Sequence, residues 1–136
     1  MNYLIDTHIL LWALLDDKKF SKKARDIILA NSDRLYFSSV NVWEVAIKYN
    51  KNRNNGFDDF IEPDYFYQLL KTARYKELVV NSQHALAVKD LPNIHQDPFD
   101  RILITQAKVE KLTLMTADEK IEQYIGHYDD LSILMV

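Results

Sequence analysis

The chain has 136 residues, of which 48% are hydrophobic, and carries a formal net charge of −3. This length suits one packed core, so we expect a single domain over residues 1–136. The slightly acidic balance argues against a general nucleic-acid coat protein, but not against an enzyme that contacts nucleic acid at one place. The chain has no cysteine, which excludes disulfides, thiolate zinc sites and cysteine nucleophiles. Any metal must therefore bind through oxygen or imidazole ligands.

The sequence predicts neither a targeting segment nor a membrane span. Its longest apolar run, Ile9 to Leu15, is far shorter than the roughly 20 residues that a spanning helix needs. The N-terminal residues lack a basic region followed by a small-residue cleavage site. We therefore expect a cytoplasmic protein without membrane contact. Because Gly56 and Gly126 are the only glycines, glycine-rich phosphate loops of the Walker and dinucleotide types are excluded.

Short strands alternate with helices in the first half of the chain. The predicted strands lie at 3–5 and 35–38. One helix follows the first strand and continues to Leu15, a second lies at 21–31, and a third begins after a cap at Asn41. An asparagine-rich polar loop is predicted at 50–63. Each of the two strands is followed by an acidic residue close to the start of a helix. These acids are Asp6 and Glu44.

The alternation continues in the second half. The predicted elements are a helix from Asp64 to about Tyr75, a strand at 77–80, a helix at 82–91, and strands at 112–116 and 131–136. Residues 116–119 match a capping box, with Asp118 inside the first turn of a further helix. Strands that alternate with helices imply right-handed crossovers. We therefore expect an α/β fold of three layers, with a mainly parallel central sheet of about five strands.

Residues 95–107 place two carboxylates at the start of one helix. Asp97 is predicted as the N-cap, Pro98 as the first helical residue, and Asp100 as the acid of a capping box. Asp100 also heads an apolar stripe that continues through Leu103 and Ile104, so its side chain should point inward. A well-capped surface helix explains Asp97 but not an inward Asp100. A buried carboxylate needs a cation or a shifted pKa.

The acids are expected to converge, because ligands collect beyond the carboxyl ends of parallel strands. The candidates are Asp6, Glu44, Asp100 and Asp118, with Asp97 close by. Taken singly, each has an ordinary explanation as a turn former, a cap, a dipole-compensating residue or, for Glu44, an ion pair with Lys48. Together they repel one another unless a divalent cation is present. Mg²⁺ or Mn²⁺ prefers this oxygen ligation and catalyses phosphoryl transfer.

Four blocks of the sequence resemble a PIN-domain ribonuclease, and most of all the VapC-type toxins of bacterial toxin–antitoxin pairs. The blocks are residues 3–12, 38–48, 95–101 and 114–118. The resemblance implies a PIN-like αβα fold, one or two Mg²⁺ or Mn²⁺ ions, endonucleolytic RNA cleavage with a metal-activated water, and inhibition by a cognate antitoxin. By position, the four family acids are Asp6, Glu44, Asp100 and Asp118. Asp97 is a further possible metal ligand, with Asp100 favoured over it.

Several other residues are candidates for contact with RNA. The residues are His8, Lys48, Arg101 and Thr116, with Lys51 and Arg53 in the polar loop. Each also has an ordinary alternative, such as pairing with Glu44 for Lys48 or helix capping for Thr116. His95 lies near the acids but has no second histidine at ligand spacing, whereas His84 and His127 are expected to be structural or solvent-facing. Trp12 and Trp43 are expected in the core, with base stacking as the alternative.

Two other functions compete with the ribonuclease. A phosphatase of haloacid-dehalogenase type also has an aspartate after its first strand, but it needs a second aspartate where this chain has His8. A non-catalytic α/β protein-binding module is the second alternative, and four retained acids count against it. The resemblance and the aromatic residues 65–67 on one amphipathic helix predict a homodimer that pairs with an antitoxin. Burial of these aromatics within one subunit is the alternative.

Overall fold

The structure, a computed structural model, describes residues 1–52 and 61–136. The strands are β1 (Tyr3–Ile5), β2 (Leu35–Ser38), β3 (Lys76–Leu78), β4 (Thr113–Thr116) and β5 (Ser132–Met135). The α-helices are α1 (Thr7–Leu14), α2 (Lys22–Ala30), α3 (Ser39–Asn52), α4 (Pro63–Thr72), α5 (Ser82–Ala87), α6 (Pro98–Glu110) and α7 (Glu119–Glu122). A 3₁₀ turn at Val88–Asp90 follows α5.

The five strands form one sheet in the order β3-β2-β1-β4-β5, and every neighbouring pair is parallel. The expectation of a mainly parallel α/β sheet of about five strands is therefore confirmed. The chain builds outward from β1 to β3, then returns to the other side of β1 with β4. This reversal makes β1 and β4 the topological switch point, where open parallel sheets bind their ligands.

Alternation of side chains along the strands divides the core into two clusters, one for each face of the sheet. Tyr3 and Ile5 belong to one cluster, which also receives side chains from α1 and α4. Leu4, between them, belongs to the other cluster, which is filled largely by α6. Successive residues of a strand point to opposite faces. Burial on both faces explains why β1 is an uninterrupted apolar run and why Leu114 and Met115 of β4 are both apolar.

Three predicted helix starts differ from the observed ones. Helix α3 begins at Ser39 rather than after Asn41, because the Ser38 hydroxyl already accepts a hydrogen bond from the backbone N–H of Val40. Helix α4 is capped by Glu62 instead of Asp64. Its carboxylate accepts from two backbone N–H groups, and Pro63 fits the first helical position. For α7, Asp118 is the N-cap itself and lies outside the first turn.

Other predicted boundaries also move. The two ends of the loop predicted at 50–63 are helical, because α3 continues to Asn52 and α4 begins at Pro63. Residues 53–60, which include Arg53, lie outside the described residues, and so does the side chain of Lys51. Strand β3 is short, and the helix predicted to end at Leu91 ends earlier in a 3₁₀ turn. No helix among the described residues is both long and apolar enough to cross a bilayer.

Candidate active site

The candidate site lies at the carboxyl edge of the sheet, beside the switch point. Ile5 pairs with Met115 across β1 and β4, so the next residues, Asp6 and Thr116, emerge side by side. The backbone N–H of Asp6 still donates to the carbonyl of Met115. This register explains why two residues from opposite ends of the chain meet at this edge.

Asp6 is buried, with 4% of its surface exposed, and both of its carboxylate oxygens accept hydrogen bonds. Oδ1 accepts from the backbone N–H of Thr7 at 2.7 Å and thereby caps α1. Oδ2 accepts from the hydroxyl of Thr116, also at 2.7 Å. Burial raises the pKa of the Asp6 carboxyl, with Glu44 adding to the rise, although the Thr116 hydrogen bond and the charge of His8 oppose it. Asp6 is thus held in one orientation in a low-dielectric site.

Glu44 reaches the same site from α3 and is also buried. Its Oε1 accepts from the Thr7 hydroxyl at 2.6 Å, and that hydroxyl in turn accepts from the side-chain amide of Asn41. Its Oε2 pairs with Lys48 Nζ at 2.5 Å, one turn further along α3. Burial lowers the pKa of Lys48, but the hydrogen bond and charge of Glu44 outweigh it, so the pKa is raised overall. The helix thus presents a carboxylate whose negative charge is partly balanced by its own lysine.

Asp100 is a second buried carboxyl of the site with a raised pKa. It lies in the first turn of α6 with 7% of its surface exposed, so the inward orientation predicted from the apolar stripe is correct. Burial, followed by the nearby charges of Asp6, Asp97, Glu44 and Asp118, raises its pKa to about 8. Its Oδ2 lies 2.7 Å from His95 Nε2. Burial and neighbouring negative charges both disfavour the ionised carboxylate, and a bound cation would favour it.

Three ligand atoms of the site lie close enough together to share one metal ion. They belong to His95, Asp97 and Asp100, and all lie within 4.8 Å of one another. Asp97 is the N-cap of α6, as predicted, and its Oδ1 accepts from the backbone N–H groups of Phe99 and Asp100. Both candidate aspartates therefore fall in the group, and a histidine completes it. Two carboxylates and an imidazole suit Mn²⁺, and carboxylates alone suit Mg²⁺.

One cavity of about 190 Å³ brings the predicted acids together. Its lining consists of Asp6, Glu44, Asp97, Asp100, Asp118, His8, His95, Lys48 and Lys120. Asp118 caps α7 through a hydrogen bond from the backbone N–H of Lys120 and is half-buried. Five carboxylates thus face two lysines and two imidazoles. This donor set fits a divalent cation, because the acids exceed the permanent positive charges around them.

Arg101 does not line the acid-lined cavity, and its predicted contact with RNA phosphates stays a prediction. Its guanidinium donates to the backbone carbonyls of Pro92 and His95 at 3.0 and 3.2 Å, with longer contacts to three further oxygens. The buried Tyr124 hydroxyl accepts from the backbone N–H of His95 at 2.9 Å. Arg101 and Tyr124 therefore hold the loop that carries His95.

The aromatic residues also depart from expectation. Trp43 was predicted in the core but is 54% exposed and contacts Phe99 edge-on, with ring centroids 4.9 Å apart. Trp12 is half-buried against the first core cluster. Of the aromatics expected at a dimer interface, Phe66 is fully buried, and Tyr67 packs against the same cluster. Burial within one subunit therefore accounts for most of that aromatic face.

Sequence reasoning assigned no role in the site to Thr7, Asn41 or Lys120, and gave His95 little weight. Thr7 directly follows Asp6, and Asn41 lies three residues before Glu44. Both adjacencies signal a neighbour of the acids, yet capping is the commoner use of these residue types. Lys120 lies two residues after Asp118 in the same way. His95 could have been predicted more easily, because it lies five residues before Asp100 and close to the same helix start.

A buried carboxylate cluster at the switch point of an all-parallel sheet defines an α/β protein with a candidate metal centre. The family comparison gives a finer assignment. The model of the PIN domain matches residues 3–126, and the chain belongs to this family. The resemblance found in the four sequence blocks is thereby confirmed. Among curated proteins, no significant match was found.

Solved structures with the same fold cover nearly the whole chain. VapBC2 from Rickettsia felis, bound to a DNA fragment from its promoter, has a TM-score of 0.69 at 14% identity, covering 100% of this chain and 99% of the other. DNA-bound VapBC from Salmonella typhimurium gives 0.66 at 16% identity, with 99% and 98% covered. VapBC-1 from nontypeable Haemophilus influenzae gives 0.64 at 19% identity, with 99% and 98% covered. At these identities the likeness shows the fold.

Proposed function

We propose that the chain is a metal-dependent endoribonuclease that acts as the toxin of a toxin–antitoxin pair. The observation that carries the proposal is the donor group of His95, Asp97 and Asp100 inside an acid-lined cavity. The PIN domain assignment supports a nuclease, and the likeness to VapBC structures supports the toxin. Its place of action would be the cytoplasm, where RNA is available.

The residues present fit Mg²⁺ or Mn²⁺. Asp97 and Asp100, with His95, are grouped closely enough to hold one ion. Asp6, Glu44 and Asp118 line the same cavity and would complete its coordination directly or through water. When bound, such an ion supplies Lewis-acid stabilisation of the phosphate and activates water for attack.

The chain's own residues would position the carboxylates and bind the RNA substrate. Thr116 and Thr7 hold the Asp6 and Glu44 carboxylates in place through hydrogen bonds of 2.7 and 2.6 Å. Lys48 and Lys120 line the cavity and bring positive charge to an RNA phosphate. His8, which is exposed at the rim, is a further candidate contact. Arg101 is left out, because its guanidinium is engaged by the backbone of the loop before α6.

A cognate antitoxin is the proposed protein partner, supported by the VapBC complexes that share the fold. We also propose a homodimer. Its support is an apolar patch formed by Trp43, Phe99 and Ile102, where two cavities of about 340 and 540 Å³ meet at Trp43 and Ile102. A mass measurement over a range of concentrations, repeated with Trp43→Glu, tests it. A strictly monomeric mass for the unsubstituted protein contradicts the homodimer.

The decisive experiment is cleavage of a mixed cellular RNA preparation in Mn²⁺, in Mg²⁺ and in EDTA. We expect cleavage with either ion, none in EDTA, and none with Asp100→Asn, which keeps the side-chain volume but loses the charge. Asp33→Asn is the matched control, because its side chain is 84% exposed. Inert RNA together with hydrolysis of a phosphate monoester would favour the phosphatase. No hydrolysis of either substrate would favour a non-catalytic binding module.

A further inference from the structure

A second cavity opens beside the acid-lined one and has a different character. It has a volume of about 290 Å³ and is lined by Asp6, His8, Trp12, Ala117 and Asp118. Asp6, His8 and Asp118 line both cavities. The two cavities therefore adjoin each other at these shared residues. A ligand bound at the acids has the second cavity next to it.

The wall of this second cavity beyond the acids is aromatic and aliphatic. Trp12 and His8 lie one turn apart on α1, with ring centroids 6.0 Å apart and planes inclined by 48°. Trp12 packs against the first core cluster and is half-buried, so part of it remains exposed. Ala117, between Thr116 and Asp118, contributes only a methyl group. The small side chain leaves room in front of the indole.

We propose that this cavity is a subsite for one nucleobase of the RNA, next to the phosphate held at the acids. The proposal rests on the proposed function and names a specificity element of the same site. An indole at a cavity wall offers a face on which any base can stack, and such contacts are sequence-tolerant. The flanking imidazole of His8 lines the same cavity and adds a hydrogen-bonding group beside the indole.

The subsite selects for an unpaired nucleotide. A base inside an A-form helix is stacked on its neighbours and cannot lie against Trp12, whereas a base in a loop or single strand can be turned outward. The acids and the indole are close enough for one nucleotide to engage both, since Asp6 lines both cavities. With a divalent cation at the acids, the chain would therefore recognise a phosphate there and the adjoining unpaired base at Trp12.

Fluorescence provides a direct test, because Trp12 and Trp43 are the only tryptophans. In Trp43→Phe, emission reports on Trp12 alone, and Trp43 lies outside the acid site. The probes are the four nucleoside 5′-monophosphates, with ribose 5-phosphate as the base-free control, all in Mg²⁺. We expect each nucleotide to quench the emission saturably and to bind about 10-fold or more tightly than ribose 5-phosphate.

Two variants examine the cavity from opposite directions by calorimetric titration. Trp12→Leu removes the stacking face, and Ala117→Leu keeps the indole but fills the space before it. Both should reduce nucleotide affinity to that of ribose 5-phosphate and leave the affinity for ribose 5-phosphate unchanged. Trp12→Phe keeps an aromatic ring and should still bind nucleotides more tightly than ribose 5-phosphate. Melting curves verify that each variant is folded. If Trp12→Leu does not fold, Ala117→Leu alone tests the base subsite.

The results separate this proposal from the nuclease assignment. Equal affinity for nucleotides and ribose 5-phosphate overturns the base subsite, as does an Ala117→Leu variant that binds nucleotides like the unsubstituted protein. Cleavage of RNA in Mn²⁺ that accompanies either result leaves the nuclease intact and overturns the subsite alone. Base-dependent binding in a protein that cleaves no RNA overturns the nuclease and supports the subsite.

Discussion

The hydroxyl of Thr116 donates a hydrogen bond of 2.7 Å to Oδ2 of Asp6, joining the ends of two neighbouring strands. The same hydroxyl accepts from the backbone N–H of Asp118 at 3.0 Å. Thr116 therefore links two of the acids and is placed to orient both. Side chains that hydrogen-bond to metal-ligating carboxylates commonly have a strong influence on the metal affinity of the site.

Replacing Thr116 by valine should weaken Mn²⁺ binding by about 10-fold or more, since the Asp6 carboxylate loses its fixed orientation. The same change leaves Oδ2 of Asp6 without a donor and should lower the free energy of unfolding by about 1–3 kcal/mol. Thr116→Ser keeps the hydroxyl and is the control. The shift of the melting temperature with Mn²⁺ concentration measures the affinity, and a valine variant with the unsubstituted response would remove Thr116 from the site.

The raised pKa of Asp100 predicts a pH dependence of stability without metal. Its pKa is about 8 in the folded protein and 3.8 in the reference state, so between these values the folded protein binds a proton that the unfolded chain has lost. Stability should therefore fall as the pH rises from about 4 to about 8, and this cost is complete above the folded pKa. Asp100→Asn should flatten this dependence.

Melting curves in EDTA at pH values below and above this range measure the effect. Above pH 8 we expect Asp100→Asn to melt several degrees higher than the unsubstituted protein, equivalent to about 1 kcal/mol or more. Mn²⁺ should stabilise the unsubstituted protein by mass action and the variant far less. Asp33→Asn is the control for charge alone. A variant that melts below the unsubstituted protein at high pH contradicts the proposed crowding of carboxylates.

Lys48 balances Glu44 within α3, and only 4% of the Glu44 side chain is exposed. Lys48→Met keeps the aliphatic stem and leaves the carboxylate without its cation, so the metal-free protein should lose about 1–3 kcal/mol of stability. Mn²⁺ should narrow this difference, because a bound cation replaces part of the missing charge. Lys48→Arg is the control. Equal unfolding free energies for Lys48→Met and the unsubstituted protein, measured in EDTA, would refute the role assigned to the pair.

Arg101 and Lys120 should differ in how they affect RNA binding. Arg101→Lys cannot reproduce the several hydrogen bonds to the loop before α6, so we expect a loss of about 1–2 kcal/mol in stability. The salt dependence of RNA affinity, measured in the Asp100→Asn background to prevent cleavage, should not change. Lys120→Met should instead reduce the slope of log affinity against log salt by about one. An equal loss of slope in both variants would return Arg101 to the RNA contacts.

Local patterns in the sequence were enough for the order of the elements and the positions of most acids. Asp97 followed by Pro98 specifies a helix start, and the apolar spacing after Asp100 specifies its inward direction. The alternation of strands and helices specifies a parallel sheet, whose carboxyl edge then gathers Asp6, Glu44 and Asp118. The element types and helix starts depend on neighbours within a few residues along the chain, and the alternation of elements then implies the parallel sheet, which is why the sequence alone determined them.

Only the tertiary structure decided which partners side chains take from distant parts of the chain. Strand register joins Thr116 to Asp6, and the packing of α3 against α1 joins Glu44 to Thr7. The direction of Arg101 and the exposure of Trp43 followed no local pattern either. A long side chain reaches partners on several sides, so its choice depends on which backbone folds next to it. The partner therefore depends on which groups lie close in space, and local sequence patterns do not reveal this.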